Sequence, residues 1–445
     1  MHAVARTRRK SKSRWAPAVV VLIFAFFARL AVLVAMPAGL SVDTDGYRRI
    51  AVTLRTTGTY GFPEDPETGF ADANHSNAAR PTAYRPPLYP CLLSIFVREG
   101  QLSPFAVGAF HIALGCGTVA IVLWLGRAWG LGRWSLVAAI GTAVDPILLY
   151  QSTQIMTETL AAFCAVAALA SLTKLAVVTT SHEKTSGAAK HVVLFIGISV
   201  GLVLGLACLC RPTFLPWCGL IALSLLLGGL ERNRWVAAVS LSCGISAVLL
   251  PWGLRNFREF GHFKVSTTHG GYTLLLGNNP SFYRSLREAP QGAVWKSDEL
   301  DVEWNARTKT EEFGDDKLAY RWASDSIRAE PQMFLWSCCV RVARLWHVLP
   351  HRLSDPEPRA KTFLRIAIAG WYCMIYGLSL FAIVRCPSRV FDSTWRWGFL
   401  LCATFTVVHA LYWSDMRMRA PLMPFIYLVA AASGLVPRSG SSISR

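Results

Sequence analysis

Charge is what this chain has least of. Only 16% of its 445 residues are Asp, Glu, Lys or Arg, against about a quarter in ordinary soluble proteins. Acidic residues are scarcest, 27 against 45 basic ones. The chain also has no CxxC pair, so its 12 cysteines form neither a zinc nor a thioredoxin signature. Nearly all of them lie in apolar runs, among them Cys91, Cys116, Cys164, Cys208, Cys210, Cys218, Cys243, Cys373 and Cys402. There they read as small buried hydrophobes, and the neighbours Cys338 and Cys339 read the same way. No Walker A loop, HExxH pair, internal repeat or low-complexity tract occurs. The net charge of +18 comes without a basic domain interleaved with aromatics, which excludes nucleic acid as a partner.

What fills the chain instead is apolar: 53% hydrophobic residues, with mean hydropathy +0.36. One soluble core cannot hide that much apolar surface, so the fold class expected is an all-α polytopic membrane protein. Apolar runs long enough to cross a ~30 Å hydrocarbon core fall near residues 16–36, 104–126, 133–150, 157–178, 191–210, 213–230, 235–253, 362–385, 396–413 and 419–437. About ten transmembrane helices are therefore expected. The run "MFLWSCCVRVARLWHVLP" (333–350) is an eleventh candidate, although Arg341, Arg344 and its tryptophans favour a helix lying in the interface. The basic opening "MHAVARTRRKSKSR" precedes a run to Met36 without a small-x-small cleavage site, so the first span reads as uncleaved.

Ten spans put both termini on one side. That side gathers the basic tail 1–15, Arg127, Arg133, Lys174, Lys184, Lys190, Arg232, Arg234, Arg385, Arg389, Arg396 and the tail 438–445 with Arg438. By the positive-inside rule it is cytoplasmic. The membrane domain is 16–437, and its two long polar stretches, 37–103 and 254–332, are external loops carrying short helices. The sorting also gathers Asp43, Asp45, Arg85, Asp145, Glu158, Arg211, Arg255, Asp415, Arg417 and Arg419 at one external face. Ionisable groups at the membrane are functional candidates by default.

Each has a plainer reading. In "VDTDGYRRIA" (42–51), Asp43 and Asp45 open a helix, where Asp caps well. There each is also a candidate general base or, with Glu158, ligand of a divalent cation. In "AYRPPLYP" (83–90) the prolines make a turn, and Arg85 is a planar cation suited to phosphate. Glu158 starts a span, a costly place for a carboxylate unless it is paired or wet. Arg211 and Arg255 stand beside prolines at span ends, where snorkelling to lipid phosphate would explain either alone. Arg417 and Arg419 in "DMRMRAPLMPF" enter a membrane segment and need anionic company. The segment "STTHGGYTLLLGNNPSFY" (266–283) reads as loop turns. His347 and His351 are spaced i, i+4 and fit an amphipathic helix better than a metal site.

Taken in order, these elements resemble the membrane-embedded GT-C glycosyltransferases. They are: a first span; an external Asp with Tyr47 four residues after Asp43 and "IA" beyond; "RPPLYP"; "DP…MTETLA"; "RP"; "PWGLRNF…STTHGGYTLLLGNNP"; and "DMRMRAPLMPF". The pattern is most similar to the bacterial branch related to protein O-mannosyltransferases and aminoarabinose transferases, the RgtA/B/C/D-like group. The resemblance implies a polyprenyl-phosphate-linked sugar donor used on the periplasmic face of the inner membrane. It implies a glycan, lipid or protein acceptor. Asp43 is then the expected base, with Asp45 second. Arg85, Arg417 and Arg419, joined by Arg211 or Arg255, are the expected phosphate contacts, with Tyr47 beside them and Glu158 ordering the base or binding a cation. The rival class is a secondary transporter or lipid flippase, which would also hold charges in a wet cavity but often shows repeats. An O-antigen ligase or polymerase, with similar chemistry, usually carries one dominant external loop.

Overall fold

The computed structural model of the chain describes residues 16–64, 79–180, 187–227, 233–289, 295–307, 311–352, 357–392 and 394–435. The two expected tails, Lys184 and Arg232 lie outside the described residues. The described chain is mainly helical, with two small antiparallel pairs: β1 (Gly61–Pro63) with β2 (Ala79–Pro81), and β3 (Val97–Arg98) with β4 (Gln101–Leu102).

The first span is α1 (Ala16–Ala35), followed by the short α2 (Tyr47–Thr57) and α3 (Leu88–Ser94). Next come α4 (Pro104–Ala128), α5 (Trp134–Val144), α6 (Pro146–Gln151), α7 (Glu158–Thr180), α8 (Gly187–Cys210), α9 (Phe214–Leu227) and α10 (Arg234–Phe260). The second polar stretch folds into α11 (Gly270–Gly277), α12 (Pro280–Glu288), α13 (Asp298–Ala306) and α14 (Glu312–Ala329). After α15 (Pro331–Leu345) come α16 (Arg359–Arg385), α17 (Pro387–Val390), α18 (Arg396–Leu411) and α19 (Met423–Ala431).

Among the described residues, six helices are long and apolar enough to cross a membrane: α1, α4, α7, α8, α10 and α16. The chain is accordingly a multi-pass membrane protein. The other four expected runs form shorter or divided helices among the described residues. The runs at 213–230 and 396–413 become α9 and α18, apolar but of 14 and 16 residues. The run at 133–150 is broken into α5 and α6, because Pro146 supplies no N–H to continue the ladder. Asp145 caps the second piece, accepting from the Leu148 N–H at 2.8 Å. It also accepts from the Tyr427 hydroxyl at 2.8 Å and the Tyr372 hydroxyl at 3.2 Å, so this carboxylate is consumed by packing. The run at 419–437 is divided too: a 3-10 segment, Met416–Leu422, precedes the nine-residue α19.

Close helix approach explains the tightest pairing, α8 against α10. Gly197, Gly201 and Gly205 recur every four residues along α8, the small-xxx-small arrangement of membrane helices. A Cβ on Gly201 would meet the Gly244 Cα of α10 at 2.9 Å. Within α1 one charge, Arg29, is fully buried and donates to the Ala143 carbonyl at 3.4 Å, at the broken end of α5.

The helix α15 ends at Leu345, so His347 lies beyond it and not on a helical face with His351. Their rings stack with centroids 6.3 Å apart. Arg341 of α15 is fully buried and donates to the Ala410 carbonyl at 2.7 Å and to the Gly277 carbonyl, which ties α15 to α18 and α11.

Candidate active site

A cavity of about 510 Å³ opens where α7 begins, α8 ends, α9 begins and α18 ends. Side chains from both polar stretches close around it: Asp45, Tyr47 and Arg85 from the first, His269, Thr273 and Tyr320 from the second. Glu158, Arg211, Trp413 and Arg417 complete the charged and aromatic wall. Three guanidinium groups face two carboxylates, leaving the lining one positive charge in excess.

The segment before α2 turns on Gly46, whose φ of 78° lies in the left-handed region that glycine adopts at little cost. The two aspartates ahead of it point different ways. Asp43 folds back onto α2, accepting the Arg48 N–H at 2.9 Å and the Arg49 N–H at 3.0 Å. It is a capping carboxylate and does not line the cavity. Asp45 does line it, with Oδ1 3.1 Å from Arg85 Nη2.

Arg85 is held at three points. Its Nε donates to the Asp45 backbone carbonyl at 2.9 Å. Its guanidinium lies over Tyr84, 4.5 Å from the ring centre, and near Tyr47 at 5.4 Å. Its own carbonyl accepts from the Tyr60 hydroxyl at 2.9 Å. Burial opposes its charge, but Tyr47, Tyr84 and Asp45 outweigh that and raise its pKa. Burial pushes Tyr47 up to about 12, so the phenol keeps its proton.

Opposite, Glu158 Oε1 sits between two cations, 3.5 Å from Arg211 Nη1 and 3.8 Å from Arg417 Nη1. Its Oε2 is buried with no partner among the described residues. Arg417 is set by Asp415, which accepts its backbone N–H at 2.6 Å and stands 3.4 Å from its Nε. Burial works against Arg417, yet Glu158 and Asp415 leave its pKa raised.

Two arginines stay out of the lining. Arg255 donates to the carbonyls of Thr82 and Tyr60, both at 2.8 Å, and stacks beside Trp252. Arg419 is fully buried, donates to the carbonyls of Leu345, at 3.0 Å, and His347, and lies over the Tyr372 ring. Both brace the framework.

Several uncharged or remote groups carry no charge pattern that would have marked them. His269 lines the cavity, and burial, aided by Arg85, depresses it to about 3, so it is neutral. Glu312, at the start of α14, accepts from the Thr82 hydroxyl at 2.7 Å, the Ala83 N–H at 2.8 Å and the Thr268 hydroxyl. One turn on, Asp316 accepts the Gly271 N–H at 2.7 Å and pairs with Lys264. Glu312 thus staples the two polar stretches together beside Arg85 and His269, while Asp316 ties parts of the second stretch to each other.

A divalent cation finds no fitting donor set. Among the described residues no three His, Cys, Asp or Glu side chains gather. Asp43 is committed to its helix, and Asp45 and Glu158 are each met by guanidinium groups.

No family model matches the chain, and no curated protein does. Solved structures match in fold. The oligosaccharyltransferase of Archaeoglobus fulgidus, tethered to an acceptor peptide, superposes over 94% of this chain with TM-score 0.55 and 13% identity. The same organism's AglB, in complex with an inhibitory peptide and a dolichol-phosphate, covers 93% with TM-score 0.53 and 15% identity. The likeness is one of fold. The chain spans about half the length of these archaeal enzymes, covering 49% of each. ArnT of Cupriavidus metallidurans bound to undecaprenyl phosphate also matches, over 95% of this chain and 78% of that one, at 14% identity and a TM-score of 0.40.

Proposed function

We propose that the protein is an integral-membrane glycosyltransferase, moving a sugar from a polyprenyl-phosphate-linked donor to a hydroxyl on a glycan, lipid or protein acceptor. The observation that carries the reading is the convergence of Arg85, Arg211, Arg417 and Asp45 on one cavity at the ends of apolar helices. A lipid-borne sugar presents its reacting carbon at that depth. Fold likeness to an enzyme captured with dolichol-phosphate adds support.

In the proposed reaction the acceptor oxygen attacks the anomeric carbon and the bond from that carbon to the phosphate oxygen breaks. Asp45 takes the acceptor's proton. The bonding electrons leave with the polyprenyl phosphate, whose growing charge is met by Arg85, Arg211 and Arg417. Tyr47 and the neutral His269 offer uncharged hydrogen bonds to the sugar. Glu158 bridges the two distal arginines until phosphate arrives. No step runs through a metal.

The site is proposed to open to the periplasmic face of the inner membrane, with the termini cytoplasmic. Arg127, Arg133, Arg234, Arg385, Arg389 and Arg396 stand at helix ends remote from the cavity, as the positive-inside rule asks of a cytoplasmic side. The test is to incubate purified protein with a panel of polyprenyl-phosphate sugars and an acceptor hydroxyl and to measure release of polyprenyl phosphate. Release requiring the sugar-loaded lipid supports transfer. Movement of intact lipid-linked sugar across vesicles, without release, would instead point to a flippase.

A further inference from the structure

The wall of the active cavity needs hydrogen-bond donors as well as acceptors. A phosphodiester brings only acceptors, which suits the guanidinium groups of Arg85, Arg211 and Arg417. Two other lining groups need the opposite. One is Glu158, whose buried Oε2 has no partner among the described residues. The other is His409, in the last turn of α18, which lines the same cavity and is only 5% exposed.

One contact fixes the state of the His409 ring. Its Nδ1 lies 3.3 Å from the Trp413 carbonyl oxygen, which can only accept, so Nδ1 carries the proton. That carbonyl is itself held in place, because the Trp413 N–H donates to the Thr273 carbonyl at 3.1 Å. A second ring proton would add a fourth positive charge to the lining, beside Arg211, whose field reaches the ring. The ring is therefore neutral, and Nε2 keeps a lone pair. Nε2 is buried with no partner among the described residues. An unanswered buried acceptor is costly, so whatever fills the cavity gains by donating to it.

A phosphodiester oxygen has no proton to donate; a hydroxyl does. Asp45, the proposed proton acceptor, pairs with Arg85, whereas His409 stands by Arg211 on the phosphate's side. The hydroxyls nearest a bound phosphate are those of the sugar it carries. We infer that His409 reads a hydroxyl of the transferred sugar, its Nε2 accepting that O–H when the lipid-linked donor is bound. This role rests on the cavity receiving a lipid-linked sugar, as proposed above. It makes His409 a residue of sugar specificity that exchanges no proton in the reaction.

The test reads donor binding first and turnover second. Binding is the half-saturation point of the Tm rise of the whole detergent-purified protein. The probes are the tightest-binding sugar of a polyprenyl-phosphate panel, its monodeoxy analogues, and bare polyprenyl phosphate. In the wild type one monodeoxy analogue should bind about tenfold more weakly than the full sugar. His409→Asn keeps a donor near the place of Nδ1 but puts nothing at Nε2, so it should bind the two alike. His409→Gln carries its amide out to Nε2 and should recover part of the preference. A residue that merely braced Trp413 would give the reverse order. Bare polyprenyl phosphate should bind all three proteins equally. Should His409→Asn fold poorly, His409→Phe keeps the ring's bulk without its nitrogens and should lose the preference too. The assignment is overturned if the wild type binds every monodeoxy analogue as tightly as the sugar, which would leave only water at Nε2. It is overturned equally by a preference that survives His409→Asn, or by weaker binding of bare polyprenyl phosphate to that variant, which would make His409 a phosphate contact. Release of polyprenyl phosphate from the same samples separates the two readings. A His409-dependent preference without release keeps this role and removes the transfer reaction; release without that preference does the opposite.

Discussion

The proton acceptor can be tested by separating two aspartates that are neighbours in sequence. Asp45→Asn keeps the side chain's shape and still offers an oxygen to Arg85, 3.1 Å away. Arg85 is also held by the Asp45 backbone carbonyl at 2.9 Å, which no substitution there removes. The structural cost should therefore be about 1 kcal/mol, the difference between a charged and a neutral acceptor. Losing a general base costs about 10²–10⁴-fold in rate, or about 3–5 kcal/mol of barrier. Asp43→Asn weakens a cap that accepts two backbone N–H groups, again about 1 kcal/mol, and leaves the cavity intact. The assay is release of polyprenyl phosphate under saturating acceptor, with Tm measured on the same preparations. The expected result is a small fall in Tm for both variants and a large loss of kcat for Asp45→Asn alone. Were Asp45→Asn to stay within about threefold of wild type, or Asp43→Asn to lose kcat at unchanged Tm, the proton would be going elsewhere.

Arg417→Lys keeps the charge but loses the planar fork, and should reduce kcat/KM for the lipid donor by about ten- to a hundredfold; an unchanged KM and kcat would remove Arg417 from phosphate binding. Glu312→Ala leaves the Ala83 N–H and the Thr82 and Thr268 hydroxyls without their shared acceptor. It should cost about 1–3 kcal/mol and lower kcat by loosening Arg85, with Glu312→Gln recovering part of both; activity that survives while Tm falls would make the staple purely structural. His269 titrates near 3 in the fold and near 6.5 when unfolded. The unfolded chain alone therefore binds that proton between those values, and the stability tied to a neutral His269 is lost as pH falls from about 6.5 towards 3. The drop in Tm from pH 7 to pH 5 should accordingly be smaller in His269→Gln than in wild type, and parallel curves would refute the burial argument.

Apolar run length located α1, α4, α7, α8, α10 and α16, because burial in lipid demands continuous hydrophobicity. It could not see a helix break inside an apolar run. Hydropathy is blind to the missing N–H of Pro146, and to Pro421 and Pro424 around the 3-10 segment. Sorting charges by side gathered the residues from which the cavity draws Asp45, Arg85, Glu158, Arg211 and Arg417. It could not say which way each one points. Arg417 and Arg419 are two apart on a 3-10 turn, where such residues face different sides, and only the first enters the cavity. Asp43 turns back onto the N–H groups of α2 while Asp45, two residues on, faces Arg85. His269, Tyr320 and Trp413 were invisible to any charge pattern, since their place depends on how the second polar stretch folds over the first.

Glu158 has a consequence for turnover. Wedged between Arg211 and Arg417, it stands where the phosphate would sit in the proposed reaction. A phosphodiester with one negative charge must compete with this resident carboxylate, whereas the freed phosphate monoester, bearing nearly two, competes far better. Affinity therefore climbs as the bond breaks, which favours the forward step but leaves spent carrier lodged in the cavity. Spent lipid should accordingly inhibit, and emptying the cavity, not cleaving the bond, should set the pace.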